Sequence, residues 1–228
     1  MTQAPLSAIS LTCVTKTFEA WGGPIKALRD ISLDIPERGL VLIIGSNASG
    51  KSTLLRVIGG SLRATSGRVQ VFGRNPETMS ARWRAKTIAS VGQHPERDLV
   101  PQMTIEDHAR LFGLSWQSFA NRLSMLEPDG HFSLLGSSRK QPVEALSGGQ
   151  RQALGLAVQL VRDTPILLLD EPFAALDPDR LAAFTRMIAR LSQTRCVVNV
   201  THAPEPLLSA ASAVVRLEGG VAEIQTVH

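Results

Sequence analysis

Hydrophobic and polar residues alternate through much of the first half of the chain. The alternation covers residues 8–15, 28–35 and 67–73, and it is typical of strands with one buried face. Residues 40–44 are instead continuously apolar, which predicts a strand buried on both faces. A further short strand is predicted over residues 87–92. The first half of the chain is therefore expected to contribute mainly to sheets.

The second half of the chain alternates between helical and strand patterns. Apolar residues recur with helical spacing in three segments, 149–162, 178–191 and 204–211. Three short apolar runs predict strands, at 166–169, 196–200 and 213–217. Helices that alternate with short strands are typical of βα units around a mostly parallel sheet. We therefore expect an α/β fold.

The stretch between these two halves has a different character. Residues 105–114 and 117–126 favour helices, and no clear strand pattern occurs between residues 99 and 141. We interpret 99–141 as a helical subdomain inserted into one domain of 228 residues. Residues 1–98 and 142–228 would then form the α/β core.

Composition narrows the class of protein. Hydrophobic residues make up 43% of the chain, enough to bury a core, and the longest apolar runs are far shorter than the ~20 residues of a membrane helix. No secretory signal is recognisable at the N-terminus, so a cytoplasmic protein is expected. Aromatic residues are only 4% and the net charge is +4 with scattered basic residues, so we expect no nucleic-acid partner. Cys13 and Cys196 lie in strand-like runs and are expected to be buried, reduced thiols.

A glycine-rich segment after the buried strand matches the pattern G-x-x-x-x-G-K-[ST]. It consists of Gly45, Ser46, Asn47, Ala48, Ser49, Gly50, Lys51 and Ser52, and Thr53 follows in a helix expected to end near residue 59. Backbone N–H groups of such a loop wrap a triphosphate, its lysine neutralises phosphate oxygens, and its serine hydroxyl ligates Mg²⁺. The motif predicts a nucleotide triphosphatase or a kinase, without deciding between them.

Two carboxylates follow the apolar run at 166–169. Asp170 stands at the carboxyl end of the predicted strand, where α/β sheets bind ligands, and could hold Mg²⁺ through water. Glu171 could accept a proton from an attacking water or orient that water. A solvated strand end would also carry such residues, but the phosphate loop already requires a metal-binding acid.

A second segment, EALSGGQRQ at 144–152, resembles another phosphate cradle. Its small residues let backbone N–H groups approach an anion, and it opens a predicted helix whose N-terminus favours negative charge. One domain with one phosphate loop has no evident use for a second cradle.

Five segments together resemble the ATP-binding subunit of an ATP-binding cassette (ABC) transporter. They are GSNASGKST, LSGGQ, LLLDEP, AALD and THAPE, in the order found in that family, and the resemblance covers about residues 9–218. It implies a P-loop NTPase of the ABC type, with a mostly parallel core sheet, an N-terminal antiparallel β-subdomain and an inserted helical subdomain. It also implies ATP and Mg²⁺ as cofactors. In this family two cassettes meet head to tail, so the second cradle would serve the partner's nucleotide.

The resemblance assigns roles to further residues. The trans contact to the partner's ATP would come from Ser147, Gly148, Gly149, Gln150 and Asp177. Gln93 matches a glutamine that touches Mg²⁺ or the lytic water, and His202 matches a histidine that contacts the γ-phosphate. Asp177 is also a candidate N-cap of the following helix.

Two positions depart from the family pattern. The family usually stacks a tyrosine on adenine, and this chain has no tyrosine, so Phe18 is the best candidate with Trp21 as competitor. Ala48 replaces a frequent glycine of the phosphate loop, and it is expected to fit if its φ is negative.

The leading interpretation is an ATPase subunit that powers a transporter whose membrane part is another chain. Its expected partners are transmembrane permease subunits, a second copy of itself or a homologous cassette, and a solute-binding protein if it serves an importer. It would lie at the inner face of the cell membrane, and import is favoured over export. The alternative is a soluble single-cassette ATPase that acts as an assembly factor. A kinase or GTPase would leave LSGGQ unexplained.

Overall fold

The computed structural model describes residues 7–127, 130, 132–172 and 178–226. Contacts divide the chain into two compact units, which are described in turn. Unit 1 comprises Met1–Ser90, Thr164–Glu171 and Ser192–His228, and unit 2 comprises Val91–Asp163 and Pro172–Leu191.

The strands of the described chain lie in two sheets. In chain order they are β1 (Ser7–Phe18), β2 (Ile25–Pro36), β3 (Gly39–Ile44), β4 (Ser66–Val71), β5 (Ile88–Val91), β6 (Ile166–Asp170), β7 (Cys196–Val200), β8 (Ala213–Glu218) and β9 (Val221–Thr226). The antiparallel sheet has the order β2-β1-β4, and the larger sheet has the order β5-β6-β7-β3-β8-β9. Strands β6, β7, β3 and β8 run parallel, and β9 is antiparallel to β8. The expected combination of a mostly parallel sheet and an antiparallel β-subdomain is confirmed.

Helices of the described chain are mostly short. They are α1 (Lys51–Ile58), α2 (Ala81–Thr87), α3 (Ile105–Leu111), α4 (Trp116–Leu126), α5 (Ser133–Ser137), α6 (Gly148–Leu160) and α7 (Pro178–Ser192). Short 3-10 helices occur at Pro95–Asp98, Val143–Ala145 and Glu205–Ala210. Among the described residues, no helix is both long and apolar enough to cross a membrane.

The core of unit 1 fixes the segment between β3 and α1. Ile43 of β3, Leu54 and Ile58 of α1 and Leu168 of β6 belong to one buried cluster. Burying each such side chain stabilises the fold by roughly 1.5–3 kcal/mol. Because strand and helix are both held by this cluster, the loop that joins them has little freedom.

Several features of unit 1 differ from expectation. The segment expected as a helix over 204–211 is the 3-10 helix Glu205–Ala210, and the strand β9 was not predicted. Cys13 is exposed rather than buried, because it has φ +51° where the register of β1 shifts against both neighbouring strands. Cys196 is buried as expected, and that burial raises the pKa of its thiol to about 12.

Unit 2 is built around α6. A Cβ on Gly155 would lie 2.4 Å from the carbonyl oxygen of Pro95, so this helix and the 3-10 helix Pro95–Asp98 approach each other at backbone distance. Helix α3 starts with a reciprocal cap between Thr104 and Asp107. Glu106 of α3 accepts a hydrogen bond of 2.8 Å from Arg139, which ties this helix to the chain after α5.

Candidate nucleotide-binding site

The phosphate loop lies between the end of β3 and the start of α1, as its motif requires. Gly50 has φ +106°, and a Cβ there would lie 2.4 Å from the carbonyl oxygen of Ala27. A Cβ on Gly45 would lie 2.0 Å from the carbonyl oxygen of Leu217. Both contacts are too short for any other residue, so the two glycines let the loop pack directly against the backbones of β2 and β8.

Ala48 has φ +62° and is exposed. The condition under which Ala48 was expected to fit without strain, a negative φ, is therefore not met, because this loop turns through the left-handed region at the third residue after Gly45. An alanine in that region costs roughly 1–2 kcal/mol through crowding of its Cβ.

The polar side chains of the loop are held by neighbouring groups. The Lys51 ammonium, only 6% exposed, donates hydrogen bonds to the carbonyl oxygens of Gly45 (2.8 Å) and Ser46 (2.7 Å). The Ser46 hydroxyl donates to the Glu218 carboxylate at 2.9 Å. The Ser49 hydroxyl is buried and has no hydrogen-bond partner among the described residues. A buried hydroxyl without a partner is costly, so a phosphate oxygen at the loop would satisfy it.

Ser52 and Asp170 meet although 118 positions separate them. The Ser52 hydroxyl donates a hydrogen bond of 3.0 Å to Asp170 Oδ1. Burial raises the pKa of Asp170, as does the neighbouring charge of Glu171, while the Ser52 hydrogen bond and Lys51 oppose them. A carboxylate that is poorly compensated in this way favours a nearby cation.

Glu171 and His202 form a second pair. Nδ1 of His202 lies 3.0 Å from Oε2 of Glu171. The Glu171 backbone has φ +50°, and its N–H donates to the carbonyl oxygen of Val200 at 3.0 Å. This unusual conformation at the end of β6 aims the carboxylate toward the histidine that follows β7. The histidine side chain is 58% exposed and the carboxylate 15%, so the pair faces solvent through the imidazole.

Strand register explains why these groups converge. Asp170 pairs with Val200, and Val200 pairs with Ile43, so β6, β7 and β3 end at the same level. The carboxyl ends of neighbouring parallel strands are the usual ligand edge of an α/β sheet. Unit 1 therefore gathers the phosphate loop and both pairs at one edge.

The second cradle, LSGGQ at 146–150, lies in unit 2 at the start of α6, and we call it the signature segment. The Ser147 hydroxyl accepts a hydrogen bond from the Gln150 N–H, and the Gln150 amide oxygen accepts one from the Ser147 N–H, at 3.2 and 2.8 Å. This reciprocal cap fixes the first turn of the helix. Ser147, Gly148 and Gly149 are exposed, so the positive end of the helix is open to an anion.

The other predicted site residues are placed separately. Gln93 lies in unit 2, directly after β5, and is exposed. Phe18 ends β1 with 36% exposure and carries the Lys16 ammonium 5.0 Å from its ring centroid, whereas Trp21 is fully exposed. Thr53 is half-buried in α1. Asp177 lies outside the described residues.

The donor set at the loop suits a magnesium nucleotide. In the described chain, no three His, Cys, Asp or Glu side chains gather into a metal-binding group. Mg²⁺ needs fewer protein ligands than that, because it is usually bound by one or two protein oxygens together with phosphates and water. Ser52 Oγ and Asp170 Oδ1 supply such oxygens, and the unsatisfied Ser49 hydroxyl adds a donor for a phosphate.

Sequence reasoning missed the groups that support the loop from outside its motif. The Glu218 carboxylate and the Leu217 carbonyl come from the end of β8, and the Gly220 N–H donates to the Ser49 carbonyl at 3.2 Å. These contacts span about 170 positions, so no local pattern could indicate them. The only available signal was the Gly219-Gly220 pair, which is typical of a tight hairpin.

The sequence profile of the family described as "ABC transporter" matches residues 28–174. The chain is 33% identical over 227 residues to a phosphonates import ATP-binding protein, PhnC, of Anaeromyxobacter dehalogenans, covering 95% of this chain and 45% of that protein. It is 32% identical over 227 residues to a methionine import ATP-binding protein, MetN 2, of Burkholderia mallei, covering 95% of this chain and 56% of that protein. The chain thus spans about half the length of these curated relatives.

A third relative is matched over most of its length. A thiamine import ATP-binding protein, ThiQ, of Rhizobium meliloti is 34% identical over 191 residues, which is 82% of this chain and 78% of that protein.

Solved structures agree in fold. A dimeric structure of MJ0796, a bacterial ABC transporter cassette, has a TM-score of 0.83 at 26% identity and covers 96% of this chain and 99% of that one. A dimeric post-hydrolysis state of the same cassette, bound to ADP and Pi, has a TM-score of 0.82 at 25% identity. It also covers 96% of this chain and 99% of that one. Motifs, fold and relatives agree, and the chain belongs to the ABC transporter family as one of its ATP-binding cassettes.

Proposed function

We propose that this chain hydrolyses ATP and thereby powers import through a membrane permease carried on other chains. The observation that carries the proposal is the convergence of the phosphate loop, the Ser52–Asp170 pair and the Glu171–His202 pair at one edge of unit 1. A phosphate loop alone would bind a nucleotide without hydrolysing it. The added carboxylate and imidazole supply what hydrolysis needs, a proton acceptor and a group that orients it.

The residues have distinct roles in this proposal. Lys51 moves its hydrogen bonds from loop carbonyls to phosphate oxygens, and the loop N–H groups of residues 45–53 hold the rest of the triphosphate. Ser52 and Asp170 hold magnesium, which supplies neutralising charge at the phosphates. Glu171 accepts the proton of the attacking water. His202 orients that carboxylate and donates toward the γ-phosphate.

The signature segment completes the site of a second cassette. Ser147, Gly148, Gly149 and Gln150 present the positive end of α6 to the partner's γ-phosphate, and Asp177 crosses the same interface. A two-fold dimer then holds two ATP molecules, each bound by a phosphate loop and a signature segment from different subunits. Loss of the γ-phosphate removes this bridge and lets the dimer open.

The membrane partner is contacted through the helical subdomain, which we assign to 99–141. Gln93 precedes it and reports the nucleotide state to it. The relatives named as import proteins serve phosphonates, methionine and thiamine. Because relatives that are each 32–34% identical to this chain are named for such different solutes, we assign solute recognition to the permease or a solute-binding protein. Phe18 stacks on the adenine, and the chain lies at the inner face of the membrane.

The test of hydrolysis is an ATPase assay on the purified protein and its Glu171→Gln variant. Removal of a general base lowers the rate by ~10²–10⁴-fold, whereas ATP binding, measured by titration calorimetry, stays within about threefold. Glu223→Gln, the same change at an exposed carboxylate of unit 1, should retain the wild-type rate. A Glu171→Gln variant that turns over ATP normally would remove Glu171 from the mechanism.

Co-purification tests the transport role. Tagged Glu171→Gln, held in its ATP state, is used as bait in detergent-solubilised membranes of the native host. Recovery of a polytopic membrane protein supports the proposal. Recovery of soluble proteins alone, with ATPase activity intact, would instead indicate an assembly factor.

A further inference from the structure

We propose that unit 2 carries a binding site for a small organic amine, separate from the nucleotide site. The site is a cavity of about 220 Å³ lined by residues of α4, by Glu127 and Gly130, and by residues between 132 and 136. Its walls include Trp116, Phe119, Leu123, Glu127, Phe132 and Leu135. All six belong to unit 2, and the proposed hydrolytic mechanism uses none of them.

Glu127 is the feature that points to a ligand. Its side chain is only 5% exposed, and neither carboxylate oxygen has a hydrogen-bond partner among the described residues. A buried charge without a partner is strongly unfavourable, so a cation that entered the cavity would gain a pairing that the protein itself does not supply.

The position of Glu127 strengthens this attraction. It is the C-cap residue of α4, and its N–H donates to the carbonyl oxygen of Leu123 at 2.9 Å. A helix C-terminus carries about half a negative elementary charge from its aligned peptide dipoles. The carboxylate adds to that negative end instead of opposing it, so both favour a cation at the same place.

Three arginine side chains of unit 2 are bonded to other groups. Arg190 donates to the Leu126 carbonyl at 3.2 Å, and Arg122 donates to the Val161 carbonyl at 3.1 Å. Arg139 pairs with Glu106 at 2.8 Å. Neither Glu127 oxygen has a hydrogen-bond partner among the described residues, so none of these guanidinium groups bonds to its carboxylate.

The other residues that line the cavity favour a ligand whose uncharged part is apolar. Phe119, Phe132 and Leu135 are at least 94% buried and apolar, and the exposed Ser124, Gly130 and Ser133 mark where the cavity reaches solvent. An apolar cavity of about 150 Å³ holds a benzene ring, so this one has room for a ring and a short ammonium arm. Aromatic faces add cation–π attraction. Mg²⁺ or Ca²⁺ would find too few oxygen ligands here.

The test uses 2-phenylethylammonium as probe and 2-phenylethanol as its neutral counterpart. Binding is followed by the fluorescence of Trp116, which lines the cavity, and by the melting temperature. We expect saturable binding of the amine, and binding at least about tenfold weaker for the alcohol, because the neutral hydroxyl cannot form an ion pair with the buried carboxylate. Equal affinity for amine and alcohol would overturn the proposal, as would no saturable response to the amine.

Two variants assign the effect to Glu127. Glu127→Gln should weaken amine binding at least about tenfold, leave alcohol binding unchanged, and melt above the wild type without ligand, because the unpaired buried charge is gone. Glu144→Gln, the same change at an exposed carboxylate of unit 2, should bind the amine as the wild type does. Amine affinity within twofold of wild type in Glu127→Gln would contradict the assignment.

Discussion

The phosphate loop contains one residue whose backbone conformation would suit glycine better. Ala48, with φ +62°, is exposed, and a glycine there would relieve the crowding of its Cβ. Part of that gain is lost to the greater freedom of glycine in the unfolded chain. We expect Ala48→Gly to raise the free energy of unfolding by about 0.5–1 kcal/mol in chemical denaturation.

An alanine of ordinary conformation provides the control for this change. Ala20 is exposed and is not among the described residues with positive φ. Ala20→Gly should leave stability unchanged or lower it by a few tenths of a kcal/mol. Equal effects of the two substitutions would mean that Ala48 carries no strain.

The ionised carboxylate of Asp170 lowers the stability of the fold where it lies. Burial, reinforced by the charge of Glu171, raises its pKa above the ordinary 3.8. The folded state thus binds this proton more tightly than the unfolded state. The resulting stabilisation is complete below pH 3.8 and is lost as the pH rises through the raised pKa, so the ionised carboxylate is unfavourable at pH 7.

Asp170→Asn should therefore raise the melting temperature at pH 7 without nucleotide, by roughly 1–4 °C. An asparagine oxygen can still accept the Ser52 hydrogen bond, so packing is retained. The difference from wild type should shrink as the pH falls through the raised pKa, and the stabilisation by Mg·ATP should be weaker. A variant that melts below the wild type at pH 7 would contradict this account.

At the residue scale, the sequence indicated which side chains matter but not how the loop is supported. The phosphate-loop motif indicated Ser52, and the position at the strand end indicated Asp170. In the structure the oxygens of these two side chains lie 3.0 Å apart. The φ of Ala48 could not be predicted, because it depends on the turn of the whole loop. The contact of Ser46 with Glu218 joins residues 172 positions apart.

At the element scale, the residue before α1 must be small because the backbone there passes close to β2. Gly50 precedes the helix, and a Cβ there would lie 2.4 Å from the Ala27 carbonyl oxygen. Gly50→Ala combines a positive φ with this clash, so we expect a loss of more than about 2 kcal/mol in the free energy of unfolding.

Gly73→Ala separates the two contributions. Gly73 also has a positive φ, of +72°, but a Cβ there would meet no atom within 4 Å. Gly73→Ala should therefore lower the free energy of unfolding only through backbone strain, by roughly 1–2 kcal/mol. Denaturant unfolding of both variants without nucleotide measures the difference. Equal losses would show that the approach of α1 to β2 does not limit residue choice at position 50.

Periodicity predicted the central elements well and the peripheral ones poorly. Strand β7 was predicted with its observed bounds, because its residues are apolar throughout and buried. In helix α2 only Thr87 is fully buried, and Trp83 alone packs partly buried against the core, so the helix leaves no apolar stripe for a pattern to reveal. Strand β9 has exposed Val221 and Ile224 and was missed for a similar reason.

At the scale of the whole molecule, the two segments proposed to bind phosphate belong to two different compact units. The phosphate loop belongs to unit 1, and the signature segment belongs to unit 2 with its helix start exposed. We assign the signature segment to the ATP of another subunit. Dimer formation then requires ATP, the phosphate loop and the signature segment together. If each segment bound its phosphate independently, no dimer would be needed.

The most direct test is the solution mass of Glu171→Gln with Mg·ATP, measured by light scattering during gel filtration. We expect a dimer of twice the 24.6 kDa monomer with ATP, and a monomer with ADP. Adding Ser147→Arg to the same variant should abolish the dimer while ATP still binds, because a bulky cation replaces the cap of the signature helix. Dimers of equal stability with and without Ser147→Arg, or no dimer in either, would contradict the shared-nucleotide account.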